Sequence, residues 1–296
     1  MSVMSGSASR MTLGGLASRY GFELTPSCAE AVTVTSLVDD VDAVMPGSLY
    51  VPSGPVSMDK LERAASRGAY AALVPKALRG AADRLSVPLL LGECNEPTLA
   101  RMADELAGSP SKALAMFACY GSDADAVERN VQRLGEFLHM LGNPVGVICS
   151  SDTQSLSRYV TLQYPLNALD IQRILTVCLE DGASAVIIAL NDRTVRRGSL
   201  SAVAMDVLGI DGLDNFDETA LREAGQHACA TYGCTIDDHG RVVARTAESD
   251  TLAHQSSIGY ADEPWKPLSL SIAMSMAAGV RRANIKSALR VSRELS

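Results

Sequence analysis

A chain of 296 residues has room for one large or two ordinary domains. It is 47% hydrophobic but only 4% aromatic, so any core must be built mainly from Ala, Val, Leu, Ile and Met. A net charge of −8 argues against sequence-independent nucleic-acid binding, which needs basic surface to displace counterions.

Residues 1–10 are small and polar, with no apolar stretch behind a basic start, so no secretory signal is expected. The longest apolar runs, 113–120 and 185–190, are strand-length and too short to span a bilayer. A cytoplasmic location is the expectation. Seven cysteines are scattered with no C-x-x-C pair, which suggests neither a zinc site nor a disulfide framework.

Along the chain, strands are predicted over 32–35 and 48–51, with a turn at Met45-Pro46-Gly47 between them. Helical spacing of Leu61, Ala64 and Ala65 predicts a helix over 58–67, ending at Gly68. Strands at 71–74 and 87–91 and a helix at 98–106 complete an α/β unit, assigned to residues 1–108. Gly108-Ser109-Pro110-Ser111 reads as a linker.

A second block, 109–296, alternates strand and helix: strand 113–119, helix 124–141, strand 145–149, helix 169–179, strand 185–190. Uniformly apolar strands joined by helices predict a mainly parallel sheet covered on both faces. Further helices are predicted at 218–230, 268–278 and 283–294. The fold class is therefore two α/β domains.

Ligands of a parallel α/β domain bind beyond the C-terminal ends of its strands. The first strand-to-helix turn of the second block reads Cys119-Tyr120-Gly121-Ser122-Asp123-Ala124-Asp125-Ala126-Val127. A phosphate-binding loop there needs several glycines, a Lys for the β/γ-phosphates and a Ser or Thr for magnesium. This turn has one glycine and no lysine.

Several segments, in shared order, resemble the Mur ligases, in particular the type that adds the third residue to UDP-MurNAc-dipeptide. The segment 40–51, Asp-Val-Asp-Ala-Val-Met-Pro-Gly-Ser-Leu-Tyr-Val, is similar to the family's D-S-R-x-V-x-P-G-D-L-F-V, and Gly68-Ala69-Tyr70-Ala71-Ala72-Leu73-Val74 to its G-A-x-A-V-V-V. Pro110-Ser111 precedes the strand leading to the family's G-V-T-G-T-N-G-K-T loop. Pro165 and Leu169-Asp170-Ile171-Gln172-Arg173 resemble T-T-P and a D-L-Q-R-like helix. Asp211-Gly212-Leu213-Asp214-Asn215-Phe216 resembles D-H-L-D-Y-H, and Asp237-Asp238 with Gly240 the later N-x-D-D-x-x-G.

The resemblance covers an N-terminal UDP-sugar-type domain and a P-loop-NTPase-like central domain; the family's C-terminal domain has no counterpart in 1–296. What it implies for the site is loss. By ungapped count Gly121 keeps a family glycine, Ser122 and Asp123 replace Thr-Asn, and Ala124 replaces a glycine. Asp125 stands for the phosphate lysine and Ala126 for the magnesium-holding Thr. At an effective dielectric of 20 each charge contact is worth on the order of 4 kcal/mol, so a Lys-to-Asp exchange could swing about twice that.

Where the family has a magnesium-binding Glu the segment is Ala189-Leu190-Asn191-Asp192-Arg193. Alanine cannot ligate a hard cation. Gly212 and Phe216 replace the histidines of D-H-L-D-Y-H, and Gln226 falls where the family has its carbamylated lysine. Gln163-Tyr164 replace the threonines before Pro165. Val41-Asp42 after Asp40 replace the Ser-Arg of the UDP-sugar region.

Plainer readings stand beside these. Asp123 and Asp125 suit a helix N-terminus, and Asp211, Asp214 and Asp217 a solvated loop with a cap. Asp237-Asp238-His239-Gly240 reads as a hairpin turn, and Arg193, Arg196 and Arg197 as an exposed loop. His139, His227, His239 and His254 show no ligand spacing. Cys119 and Cys149 are expected to end adjacent strands as buried thiols.

The reading is a catalytically inactive Mur-ligase-like protein with a binding, scaffold or regulatory role near peptidoglycan precursor synthesis. It uses no cofactor or metal, and its partners are cell-wall synthesis proteins or a UDP-sugar. Two alternatives stay open: an ATP- and Mg-dependent ligase completed by a partner chain, and a UDP-sugar or nucleotide sensor.

Overall fold

The computed structural model describes residues 11–214, 217–256 and 265–295. The chain divides into two compact units, Met1–Ser109 and Pro110–Ser296. Predicted features at Asn215, Phe216 and residues 1–10 lie outside the described residues.

In the first unit β1 (Met11–Thr12) runs into α1 (Leu13–Tyr20), where the Thr12 hydroxyl accepts from the Gly15 N–H and Leu13 and Leu16 are buried. Next come β2 (Glu23–Thr25), β3 (Thr33–Val34), β4 (Ser36–Val38) and β5 (Ser48–Tyr50). Of the strand predicted over 32–35 only β3 forms, and a separate strand, β4, begins after Thr35, whose N–H donates to the Gly47 carbonyl at 2.9 Å. Then follow α2 (Met58–Ser66), capped by Ser57, β6 (Ala71–Val74), β7 (Leu89–Leu91) and α3 (Glu96–Ala107), capped by Asn95.

β4, β5, β6 and β7 are parallel in the order β2-β7-β6-β5-β4, with β2 antiparallel at one edge. Leu61 and Ala64 of α2 pack on Tyr50, Ala72, Leu89 and Leu91, the i, i+3 spacing placing both on one helix face.

The second unit opens with β8 (Ala115–Tyr120), α4 (Ala124–Met140) and β9 (Val145–Ile148). A hairpin of β10 (Gln154–Ser155) and β11 (Arg158–Tyr159) precedes α5 (Ala168–Glu180) and β12 (Ala185–Leu190). The chain continues through β13 (Ala204–Asp214), α6 (Glu218–Tyr232), β14 (Thr235–Arg245), α7 (Ala247–Ser256), α8 (Trp265–Ala277) and α9 (Arg282–Leu295).

Among the described residues the sheet order is β11-β10-β9-β12-β8-β13-β14, parallel from β9 to β14. β12 is buried throughout because both its faces are covered. Ala185, Ile187 and Ala189 face Val127, Val131 and Leu134 of α4 with Leu270 and Met274 of α8, while Val186, Ile188 and Leu190 face Ile171, Ile174 and Leu175 of α5. Phe137, on the far side of α4, joins Leu252, Ile272, Ile285 and Leu289 beneath α7, α8 and α9.

Two sequence expectations are corrected. Cys119 and Cys149 do not end adjacent strands: β12 lies between them, pairing Ile187 with both Phe117 and Val147. The 237–240 segment is not a hairpin turn. β14 stays parallel to β13 on both sides of it, with Met205 opposite Ile236 and Val207 opposite Arg241, so 237–240 bulge out against Asp206. Gly240 permits this close approach, since a Cβ there would lie 2.7 Å from the Met205 carbonyl oxygen. Among the described residues no helix is long and apolar enough to cross a membrane.

Candidate functional site

β8, β9 and β12 deliver three turns to one end of the sheet, and the candidate site lies among them. After β8, Asp123 caps α4: its carboxylate accepts from the Asp125 N–H at 3.0 Å, so a backbone donor that an anion would use is taken by the chain itself. Asp125 pairs with Arg193 at 2.5 Å, and Asp123 lies 3.8 Å from Arg129. The Asp125 and Arg193 side chains are 62% and 60% exposed, so solvent screens the pair.

Gly121 has a packing explanation. A Cβ there would lie 2.9 Å from the Asp211 Cβ on neighbouring β13 and 3.3 Å from Val127. Neither contact is the free end of a flexible chain, so the sheet must give. Gly121→Ala is expected to cost about 1–3 kcal/mol, the range for overpacking a tight site. Denaturation followed by the fluorescence of Trp265, the chain's single tryptophan, reads it out, and an unchanged midpoint refutes it.

Behind the β8 turn is a buried carboxylate that the sequence did not single out. Glu128 of α4 is 7% exposed; it accepts from the Ser150 hydroxyl and, at 3.1 Å, from the Ser151 N–H. Burial alone raises its pKa, but the hydrogen bonds from Ser150 and Ser151 outweigh that and hold it below the usual carboxylate value. The Ser150 N–H donates to Thr194 Oγ1 at 3.1 Å. Asn191, 6% exposed, accepts from the Arg193 and Thr194 N–H groups at 3.0 and 2.8 Å. Its side chain therefore shapes the turn that carries Arg193.

Asp192 points elsewhere. Its carboxylate accepts from Arg197 at 3.0 Å and the Tyr232 hydroxyl at 3.1 Å, and the Arg197 bond holds its pKa low. Pro165 stands beside this turn, since the Leu166 N–H donates to the Thr194 carbonyl at 2.8 Å.

Asp211, Ala126, Arg129, Asn130, Trp265 and Lys266 line a cavity of about 300 Å³ between the start of α4, β13 and the start of α8. Asn130 is 2% exposed and its Oδ1 has no hydrogen-bond partner among the described residues. The Trp265 ring lies 4.2 Å from His254 and under Arg245 at 5.1 Å.

The structure thus groups Gly121, Ser122, Asp123, Ala124, Asp125 and Ala126 with Asn191, and sets Asp211 beside them. Gln226 is exposed on α6 and lines a different hollow, against β14. Asp214 ends β13. In the first unit Asp40 caps the short turn holding buried Val41, while exposed Asp42 pairs with Arg63 and Arg67 at 3.1 and 3.6 Å. Among the described residues no group of three or more His, Cys, Asp or Glu could hold a metal ion.

Comparison of folds places this architecture. The chain is similar to a crystal structure of MurF from Acinetobacter baumannii, with TM-score 0.56 and 14% identity over 95% of this chain and 68% of that one. A second crystal structure of that MurF gives TM-score 0.52 and 12% identity over 95% and 67%. The fold is that of the Mur ligases. A UDP-N-acetylmuramoylalanyl-D-glutamyl-2,6-diaminopimelate–D-alanyl-D-alanyl ligase from the same organism gives TM-score 0.53 and 12% identity over 95% and 68%. The chain thus spans about two thirds of the length of these Mur-ligase structures. No family model matches the chain, and no curated protein matches it in sequence.

Proposed function

We propose that this chain is a pseudo-ligase: a protein with the Mur-ligase fold that acts by binding, as a scaffold or regulator, and not by forming amide bonds with ATP. The observation that carries the reading is the Asp125–Arg193 ion pair beside the Asp123 cap. In the Mur-ligase resemblance, Asp125 takes the place of the lysine that meets the β/γ-phosphates. Its carboxylate repels phosphate and also neutralises the nearby cation. Ala126 and Ala189 offer no side-chain oxygen to magnesium at the positions where the resemblance places its ligands. Placement near peptidoglycan precursor synthesis rests on the fold likeness, and fold alone transfers little function.

Calorimetry on the full chain with Mg-ATP is expected to give no saturable heat. Tight binding, or phosphate release that depends on a UDP-MurNAc-peptide, would favour an active ligase and overturn the pseudo-ligase reading. A pull-down for cell-wall synthesis proteins then tests the scaffold role, and a clean negative counts against it.

The cavity beside Asp211 favours a second reading, a nucleotide sensor. An indole ring, a buried amide oxygen without a partner among the described residues and two nearby cations are groups that hold a heterocyclic base and its anionic tail. Magnesium-independent binding of ADP or a UDP-sugar, reported by Trp265 fluorescence, supports the sensor. Absence of any response removes it.

A further inference from the structure

The hollow that takes Gln226 contains a feature with its own chemistry. Cys229, in the last turn of α6, and Cys234, just before β14, stand with their sulfurs 3.7 Å apart, the Cys234 thiol donating to Cys229. They meet because Gly233 ends α6 with φ 86°, a left-handed turn that folds the chain back over its own last turn. The fold-back is fixed from outside, since the Gly198 N–H donates to the Thr231 carbonyl at 3.1 Å and the Leu200 N–H to Tyr232 at 2.9 Å. Both cysteines line a hollow of about 500 Å³ walled by Leu221, Ile236 and Val242. Cys229 is half-buried and Cys234 is 3% exposed.

We propose that Cys229 and Cys234 form a reactive thiol pair that small-molecule disulfides entering this hollow oxidise to an intramolecular disulfide. Cys229, as thiolate, attacks one sulfur of the reagent and expels the other as a thiolate, forming a mixed disulfide. Cys234 then gives up its proton, attacks the Cys229 sulfur and releases the second half of the reagent as a thiol. The protein loses two electrons and two protons, and the reagent gains both as two thiols.

An S–S bond of about 2.05 Å needs these two sulfurs, already in contact at 3.7 Å, to approach further. The other cysteines make the site selective. Cys119, Cys149 and Cys178 are buried and have no second thiol in hydrogen-bond contact among the described residues. Burial pushes the Cys94 thiol up to about 11, whereas the bond from Cys234 lowers that of Cys229. Exposed Cys28 is open to the reagent but, among the described residues, no second thiol is in hydrogen-bond contact with it to resolve a mixed disulfide.

The test treats the full chain with oxidised glutathione, blocks free thiols and maps tryptic peptides. Residues 223–241 form one peptide holding both cysteines. The expected result is that this peptide loses two hydrogens, gains no glutathione, and recovers both thiols with dithiothreitol. Cys234→Ser is expected to stop at a stable glutathione adduct on Cys229, and Cys229→Ser to leave the peptide without the internal bond. The wild-type map needs no variant, so a folding defect in either cannot rescue the idea. Two free thiols in 223–241 while Cys28 is modified would overturn it, as would a mixed disulfide persisting on wild-type Cys229.

Discussion

Asp125→Lys is expected to raise the affinity of the chain for inorganic triphosphate by roughly 30-fold, and Asp125→Asn by about the square root of that. The wild-type turn presents Asp125 and Arg193 as a neutral pair, 62% and 60% exposed. At that exposure each charge contact with a phosphate is near the aqueous limit of about 1 kcal/mol, not the 4 kcal/mol of a partly buried site. Replacing a carboxylate by an ammonium group removes one repulsion and adds one attraction, about 2 kcal/mol in all. It also frees Arg193 to face the ligand. The gain should shrink in high salt, because exposed charges are screened over about 10 Å at 0.1 M. Calorimetry at two ionic strengths measures it. Unchanged affinity in a folded Asp125→Lys protein would mean that Asp125 does not guard this turn, and the charge argument for a pseudo-ligase would fall with it. The Asp123 cap remains in that variant and still occupies one N–H donor, so only partial recovery of a phosphate site is expected.

The same ion pair marks the limit of what the sequence discloses. The 119–127 turn is legible as a strand-to-helix junction without a lysine, because β8 is an apolar run and α4 carries a clear 3.6-residue stripe from Val127 to Leu138. That Arg193 neutralises Asp125 is not legible. It depends on β12 inserting between β9 and β8, so that the residues following Leu190 arrive beside those following Tyr120. Strand order is a long-range outcome, and local spacing carries no trace of it.

β13 and β14 escape for a different reason. β13 includes Asp206, whose carboxylate accepts from the Met116 N–H at 2.6 Å at the start of the neighbouring strand. Gly209 is there because a Cβ would lie 2.4 Å from the Met274 sulfur. Each breaks the apolar run for a reason that lies in a neighbouring element. β14 is exposed at Thr235 and through Asp237–His239 in its bulge, so it lacks an alternating face to read. α1 is eight residues long and begins Leu-Gly-Gly, too short and too glycine-rich for a periodic signal. Glu128 was hidden in plain pattern: a carboxylate adjoining apolar Val127 reads as solvated, and its burial follows from the Ser150 and Ser151 donors that β9 delivers across the sheet.

That buried carboxylate supports the other large expected effect. Glu128→Ala leaves the Ser150 hydroxyl and the Ser151 N–H without their acceptor. Stranding two fully buried donors would cost about 2–6 kcal/mol at about 1–3 each; because Ser150 is half-buried and Ser151 exposed, water replaces part of the lost acceptor, and a loss of about 2–4 kcal/mol is expected for the second unit. Glu128→Gln keeps one acceptor oxygen but turns an NH2 toward the other donor, and should fall between. The pH dependence has a definite sign. Because the folded-state pKa of Glu128 lies below its ordinary value of 4.5, its contribution is fully present above the unfolded pKa and is lost as pH falls through the folded one. Wild-type stability should therefore decline below about pH 4.5, with a component that Glu128→Gln lacks. Denaturant melts followed by Trp265, which lies in the same unit as Glu128, measure that difference from neutral pH down to the acid limb. If the two proteins lose stability in parallel on acidification, the fold does not lower the pKa of Glu128 and its hydrogen bonds do not favour the charged form. The turns after β8, β9 and β12 would then be held together by something other than its charge.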